Sequence, residues 1–387
     1  MTREDLGLYL FIFWESARSK ENFLFEELKK KFIIRDVYEI RWNEKNFSNN
    51  LKRFYGPKLG NVFKKTTLCG TGPLLLILIS DPNPKFGKRR TSKGMELVNI
   101  NIFDNKKSYR KLTGAGFAIH SSITDKETND DLTLLLGKNT QDISKDLSEK
   151  WDGTIKKLEL DLVGQNDWKD LNQLLYVLNS TTNYVILRNF EELQENYLTY
   201  EHNDIDILTD DFLRIPYITN GGKSAFNNEF PPFVKFGNKS IKFDFGYPGD
   251  NYYDEKWSQD ILKRRVLYHR FYAPSPEDYF YTLFYHAVFH QKEISNEYKN
   301  KLSNLARELG INEIVIPILD DIDKSKKFIE KYMTSKGYLH TNSLQYKIRH
   351  NTILRLGKVA LFLWRTQGIN FLLTATKNKI KSVIKTT

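Results

Sequence analysis

The spacing of apolar residues changes along this chain. Near the N-terminus, Leu8 to Trp14 is a short apolar run that predicts a strand. Glu21 to Phe32 places Phe23, Leu24, Leu28 and Phe32 at helical spacing, and Asp36 to Trp42 reads as a second strand. Phe47 to Tyr55 predicts a helix. Gly72-Pro73 then introduces Leu74 to Ile79, an uninterrupted apolar run of the kind a central strand covered on both faces requires. Asp81 to Gly94 reads as a polar loop. Farther on, Leu158 to Val163 and Tyr184 to Leu187 predict strands flanking a helix over Trp168 to Leu178. Ile205 to Leu208 and Ile241 to Phe245 predict two more, with Gly221-Gly222 and Pro231-Pro232 between them, and from Pro276 onward the pattern is helical.

Strands alternating with helices predict an α/β (α+β) fold. A charged connector from Lys138 to Gly153 divides the chain into a domain over residues 1–140, a second over 153–275, and a helical region over 276–387. At 387 residues with 40% hydrophobic content, each part can bury a core. The single cysteine, Cys69, excludes an internal disulfide and any zinc site built from several thiolates.

Charge changes the picture only once it is located. The formal charge is +11, from 59 Lys and Arg against 48 Asp and Glu. Lys331 to Thr387 holds no acidic residue, so the body is close to neutral and the tail carries the excess. A nucleic-acid binder spreads its cations over a docking face with stacking aromatics, so no nucleic-acid partner is expected. The tail mixes cations with bulky apolar residues, as in Leu354 to Arg365. That composition suits either an anionic membrane surface or a helix packed on the body with a solvated basic face. With no secretory leader and no run long enough to span a bilayer, the expected location is cytoplasmic, with peripheral attachment at the inner membrane face through the tail.

The sharpest chemical signal is Glu201-His-Asn-Asp-Ile-Asp-Ile-Leu-Thr-Asp210. On a strand, Asp204 and Asp206 project to one face while Ile205 and Ile207 enter the core. Adjacent carboxylates repel, and a hard divalent cation such as Mg²⁺ is the usual reason to hold them together. Asp244, between Phe243 and Phe245, supplies a third strand acid, so Asp204, Asp206 and Asp244 form a candidate set of metal ligands for phosphate-group transfer. An isolated D-x-D is also what solvated acids at a strand end look like; the upstream strand, the loop and the third acid favour the metal. His286 and His290 are neighbours on a helical face. Without a Glu in the H-E-x-x-H arrangement, they are expected to be structural or substrate-facing.

Tyr184-Val-Ile-Leu-Arg-Asn-Phe-Glu-Glu-Leu193 followed by His202-Asn-Asp-Ile-Asp-Ile-Leu208 resembles the catalytic core of the polymerase-β-type nucleotidyltransferase superfamily. Ser275 to His290 resembles a helix that follows the core in an uncharacterised bacterial branch, and the likeness covers about residues 155–300. The resemblance implies that Asp204, Asp206 and Asp244 bind Mg²⁺ and that the loop after Leu187 holds phosphates. Arg188-Asn189 stands where that superfamily has Gly-Ser, and Arg188 can grip phosphate oxygens bidentately.

His120 follows an apolar strand and precedes a helix with an acidic first turn, a place where a neutral imidazole can act as nucleophile or proton carrier. The stretch from Leu8 to Leu136 is similar in order and spacing to nucleoside diphosphate kinases. The likeness runs through the Phe54-Tyr55 helix end, Gly70-Thr-Gly-Pro73 and Ile119-His-Ser-Ser122. It implies a ferredoxin-like sandwich, puts His120 at the phosphate-accepting position and puts Arg110 near a phosphate-binding arginine. Trp14-Glu15 replaces a lysine-proline pair and Phe117 replaces an asparagine, so the fold is expected to be reused for binding or support.

Relatives of the nucleotidyltransferase scaffold pass an alcohol phosphate from a CDP-activated donor to a glycan. The leading expectation is therefore a Mg²⁺-dependent transferase with a CDP-linked donor and a cell-surface or lipid-linked glycan acceptor. The alternatives are nucleotidyl transfer from an NTP with pyrophosphate release, and a catalytically inactive scaffold or nucleotide sensor.

Overall fold

The computed structural model describes residues 7–91, 94–114, 116–194, 204–221, 233–291 and 293–339. Of the basic tail, residues 340–387, Leu354 to Arg365 among them, lie outside the described residues. Among them, no helix is long and apolar enough to cross a membrane. The chain divides into two compact units, Met1–Lys169 with Tyr217–Asn220, and Asp170–Pro216 with Gly221–Thr387.

In the first unit, β1 (Leu8–Phe13), β2 (Ile33–Arg41) and β3 (Leu74–Ser80) form the heart of a sheet. All seven residues of β3 are buried, so this strand needs partners on both edges and cover on both faces. It lies between β1 and β2, antiparallel to each. The helices Glu21–Lys29 and Phe47–Tyr55 stand where the spacing places them, the first ending three residues earlier than expected. Asp81 to Gly94 is not a plain loop: it contains β4 (Phe86–Thr91), which with β5 (Gly94–Asn99) makes a two-stranded hairpin. Its basic, glycine-containing sequence hides an alternating pattern.

After the helix Ile100–Thr113 come β6 (Ile119–Ser121), the helix Asp125–Leu136 and β7 (Lys156–Glu159). The sheet order is β6-β1-β3-β2-β7, with β7 parallel to β2. The expected connector is partly the helix Thr140–Asp146, capped by Asn139. Because β7 completes the first sheet, the first unit runs on to Lys169 instead of ending near residue 140.

What fastens that extension is polar and buried. Asn50 accepts a hydrogen bond from the Leu162 backbone N–H and donates to Asp161. Arg53, 3% exposed, donates to the carbonyls of Val163 at 2.7 Å and of Tyr217 and Ile218 at 3.0 Å. Burial lowers the Arg53 pKa to about 9, which leaves it a cation at neutral pH.

The second unit carries the helix Leu171–Thr181, capped by Asp170, and the strands β8 (Tyr184–Ile186), β9 (Asp204–Thr209), β10 (Phe233–Phe236) and β11 (Lys239–Gly246). Their order is β10-β11-β9-β8. The central pair β9 and β11 is parallel, and both edge pairings are antiparallel. A hairpin of β12 (Val266–Tyr268) and β13 (Phe271–Ala273) precedes the helical region of Pro276–Phe289, Asn296–Glu308 and Ile322–Lys336.

Arg53→Met keeps the aliphatic bulk and strands three carbonyl acceptors. At roughly 1–3 kcal/mol per unsatisfied buried group, before relaxation, the first unit is expected to lose about 3 kcal/mol. Urea unfolding monitored through this unit checks it; an unchanged midpoint contradicts the fastening role.

Candidate functional site

The parallel pairing of β9 and β11 brings the acidic residues together. In register, Asp206 lies opposite Asp244 and Asp204 opposite Lys242. Paired residues share a face, so these four side chains emerge together at the roughly 4.8 Å spacing of neighbouring strands. On the other face Ile205, Ile207, Phe243 and Phe245 are buried, each 2% exposed or less, and anchor the strands. A one-residue slip would bury the carboxylates, so the apolar face fixes where the acids stand.

The four side chains line a cavity of about 270 Å³ together with Arg188, Asp250, Tyr252 and His286. β8 delivers Arg188: the Leu187 N–H donates to the Asp206 carbonyl at 2.9 Å, and the next residue turns its guanidinium onto the Asp206 carboxylate, also at 2.9 Å. Asn189, with φ at 55°, makes the turn in the left-handed region that asparagine tolerates better than most residues. Lys301 donates to Asn189 Oδ1. Asn189 is thus a turn residue beside the cavity, while Arg188 lines it.

Arg188 also donates to the Tyr252 hydroxyl at 3.0 Å. Burial opposes its charge, and Tyr252 and Asp206 more than offset that, so its pKa stands above the ordinary value. Tyr252 is placed by Asp250, whose Oδ1 accepts from the Tyr252 N–H at 2.7 Å. The Tyr252 hydroxyl in turn bonds His286 Nδ1. Burial, then the charge of Arg188 and the neighbouring His290, push His286 down to about 2, so its ring is neutral.

His286 reaches this position because Pro276–Phe289 starts at a strong signal. Ser275 caps the helix through the Asp278 N–H, Pro276 follows, and Asp278, with no exposed surface, binds Arg264 through both oxygens.

The carboxylates are not bare. Lys242 stands 3.3 Å from Asp204, and Arg188 holds Asp206. Among the described residues, no group of three or more His, Cys, Asp or Glu side chains is drawn together as a metal cage. The donor set nevertheless fits a hard divalent cation: carboxylate oxygens from adjacent strands, at the wall of a cavity, on side chains 15% and 38% exposed for Asp206 and Asp204. Such an ion would take over the role that the two cationic side chains play toward Asp204 and Asp206. Lys242, Asp250 and Tyr252 escaped the sequence reading. Lys242 was findable, because it alternates with Asp244 on one strand face.

His120 and Arg110 lie in the first unit. His120 is 6% exposed, wedged edge-on against Phe54 and Tyr55, with Nε2 bonded to Asp131 at 2.8 Å. Burial, reinforced by Lys106, Lys65 and Arg110, holds its pKa well below the ordinary value. Arg110 donates from Nε to the Ile119 carbonyl at 2.8 Å, beside the histidine. Trp14 is fully buried against Trp42, Phe47 and Phe54, and the Glu15 carboxylate accepts from the Gly72 N–H at 2.7 Å. Trp14 thus serves packing and Glu15 loop closure.

His286 is expected to stay neutral from pH 8 to pH 5. In the unfolded chain it protonates below about 6.5, so its burial costs the second unit stability as pH falls through that value, by up to about 1.4 kcal/mol per pH unit. Imidazole NMR shifts and urea midpoints at pH 7 and pH 5 check this; a His286 titration near pH 6.5 contradicts it.

No family model, curated protein or solved structure matches this chain.

Proposed function

We propose that the second unit is a Mg²⁺-dependent transferase that moves a phosphate-bearing group from a nucleotide-activated donor, CDP-linked in the leading form, to a hydroxyl of a glycan acceptor. The observation that carries this is the register of β9 and β11. It sets Asp204, Asp206 and Asp244 on one face at a cavity that also presents Arg188 and Lys242. What supports the resemblance is the arrangement: an apolar strand, a strand with two acids, and a parallel strand with the third. In the first unit, the antiparallel order β6-β1-β3-β2 supports the ferredoxin-like reading, with the unit serving binding or support.

Asp204, Asp206 and Asp244 would hold the ion, which supplies charge neutralisation on the donor diphosphate and a template for in-line displacement. Arg188, held here by Asp206 and Tyr252, would turn from Asp206 once the ion takes that carboxylate and present its fork to phosphate oxygens. Lys242 adds a second cation at the same wall. The acceptor oxygen forms its bond to phosphorus as the bond to the nucleotide phosphate breaks. The hydroxyl proton passes to a carboxylate, for which Asp244 is the candidate. Tyr252 and neutral His286 form one side of the cavity and hold Arg188 in place without competing for the anion.

The ion pairs Lys242 to Asp204 and Arg188 to Asp206 favour a second reading, a catalytically inactive scaffold in which side-chain cations have replaced the metal. Product analysis with Mg²⁺ and candidate donors separates the readings. The transferase is expected to release CMP, and nucleotidyl transfer from an NTP releases pyrophosphate. Asp206→Asn is expected to lower turnover by about a hundredfold or more. A biological effect that survives both Asp204→Asn and Asp206→Asn would establish the scaffold.

A further inference from the structure

The hairpin of β4 and β5 in the first unit is two-faced. Opposed residues share a face, and the register pairs Gly87 with Val98, Arg89 with Glu96, and Thr91 with Gly94 on one side. That side is held down. A Cβ on Gly87 would stand 2.6 Å from Ile100 Cδ1, Arg89 reaches Asp104 at 3.6 Å, and Val98 is 1% exposed. The opposite side carries Phe86 opposite the buried Asn99, Lys88 opposite Leu97, and Arg90 opposite Met95. Phe86, Met95 and Leu97 are 57%, 65% and 64% exposed, among the most exposed large apolar side chains of the described residues. The hairpin's one acidic residue, Glu96, is on the held-down face and accepts from the Thr91 hydroxyl.

From this we infer that the outer face of the hairpin is a membrane-docking surface, which inserts Phe86, Met95 and Leu97 among the acyl chains while Lys88 and Arg90 contact anionic lipid headgroups. The choice among occupants follows from composition. Bulky apolar side chains alternating with cations, with no acid on that face, match an interface that is apolar below and negative above. Nucleic acid is a poor match because Leu97 and Met95 offer no stacking ring and only Phe86 is aromatic. The chain's own C-terminal segment is a poor match as well, since residues 340–387 contain Lys and Arg but no Asp or Glu, and like charges repel. The inference is independent of the metal reading of the second unit: it concerns different residues and does not require catalysis.

The test is co-sedimentation of the full chain with vesicles of phosphatidylcholine alone and with phosphatidylglycerol added. Binding is expected only to the anionic vesicles and is expected to weaken with salt. Lys88→Glu with Arg90→Glu, and separately Met95→Gln with Leu97→Gln, are each expected to lower the partition coefficient about tenfold or more. These positions are exposed, so circular dichroism is expected to be unchanged, and tryptophan emission serves as the second check that folding persists. Failure to bind anionic vesicles overturns the inference. So does binding that both double variants leave unchanged, which would assign attachment to the C-terminal segment. An acidic protein that binds the hairpin when vesicles do not would overturn it in favour of a protein partner.

Discussion

The second unit depends on one arrangement, the parallel alignment of β9 and β11 that seats Asp206 beside Asp244 and Asp204 beside Lys242. Like charges on neighbouring strands are unfavourable, and a fold avoids them where it can. Here the strands have little freedom to slide, because Ile205, Ile207, Phe243 and Phe245 are packed into the core on the reverse face. The apolar side of the sheet therefore imposes the electrostatic problem on the polar side. Lys242 and Arg188 relieve it within the chain, and a divalent ion would relieve it with chemistry attached.

From that constraint the rest of the cavity wall can be followed outward. Arg188 needs an orienting partner beyond Asp206 and has it in Tyr252, which is placed by Asp250 and bonded to a neutral His286. The helix that carries His286 is fixed at its first turn by Ser275, Pro276 and the fully buried Asp278. Asp278 is fully buried while the Arg264 side chain is 37% exposed, so removing the arginine would leave a buried carboxylate without its counter-charge. The position of His286 thus rests on an ion pair built at the other end of its helix.

Much of this was legible in the sequence because it was local. The run Leu74 to Ile79 announced a central strand, Phe47 to Tyr55 a helix, and the alternation around Asp204, Asp206 and Asp244 a shared polar face. What stayed hidden was pairing at a distance. The partnership of Asp204 with Lys242 spans 38 residues, and that of Tyr252 with His286 spans 34. No periodicity encodes either. Asp81 to Gly94, which holds β4, reads as a loop because the outer face of that strand mixes cations with apolar residues, which blurs the usual contrast between faces. The extension of the first unit to Lys169 was missed because buried polar side chains such as Asn50 and Arg53, not an apolar stripe, hold it in place.

The most direct test of the central claim is a crystal of the protein grown with Mn²⁺ and CDP and measured for anomalous scattering. The account predicts a peak within coordinating distance of Asp206 and Asp244, with Arg188 turned from Asp206 toward the nucleotide phosphates. A cavity with no anomalous peak, Lys242 still on Asp204 and Arg188 still on Asp206 would contradict it.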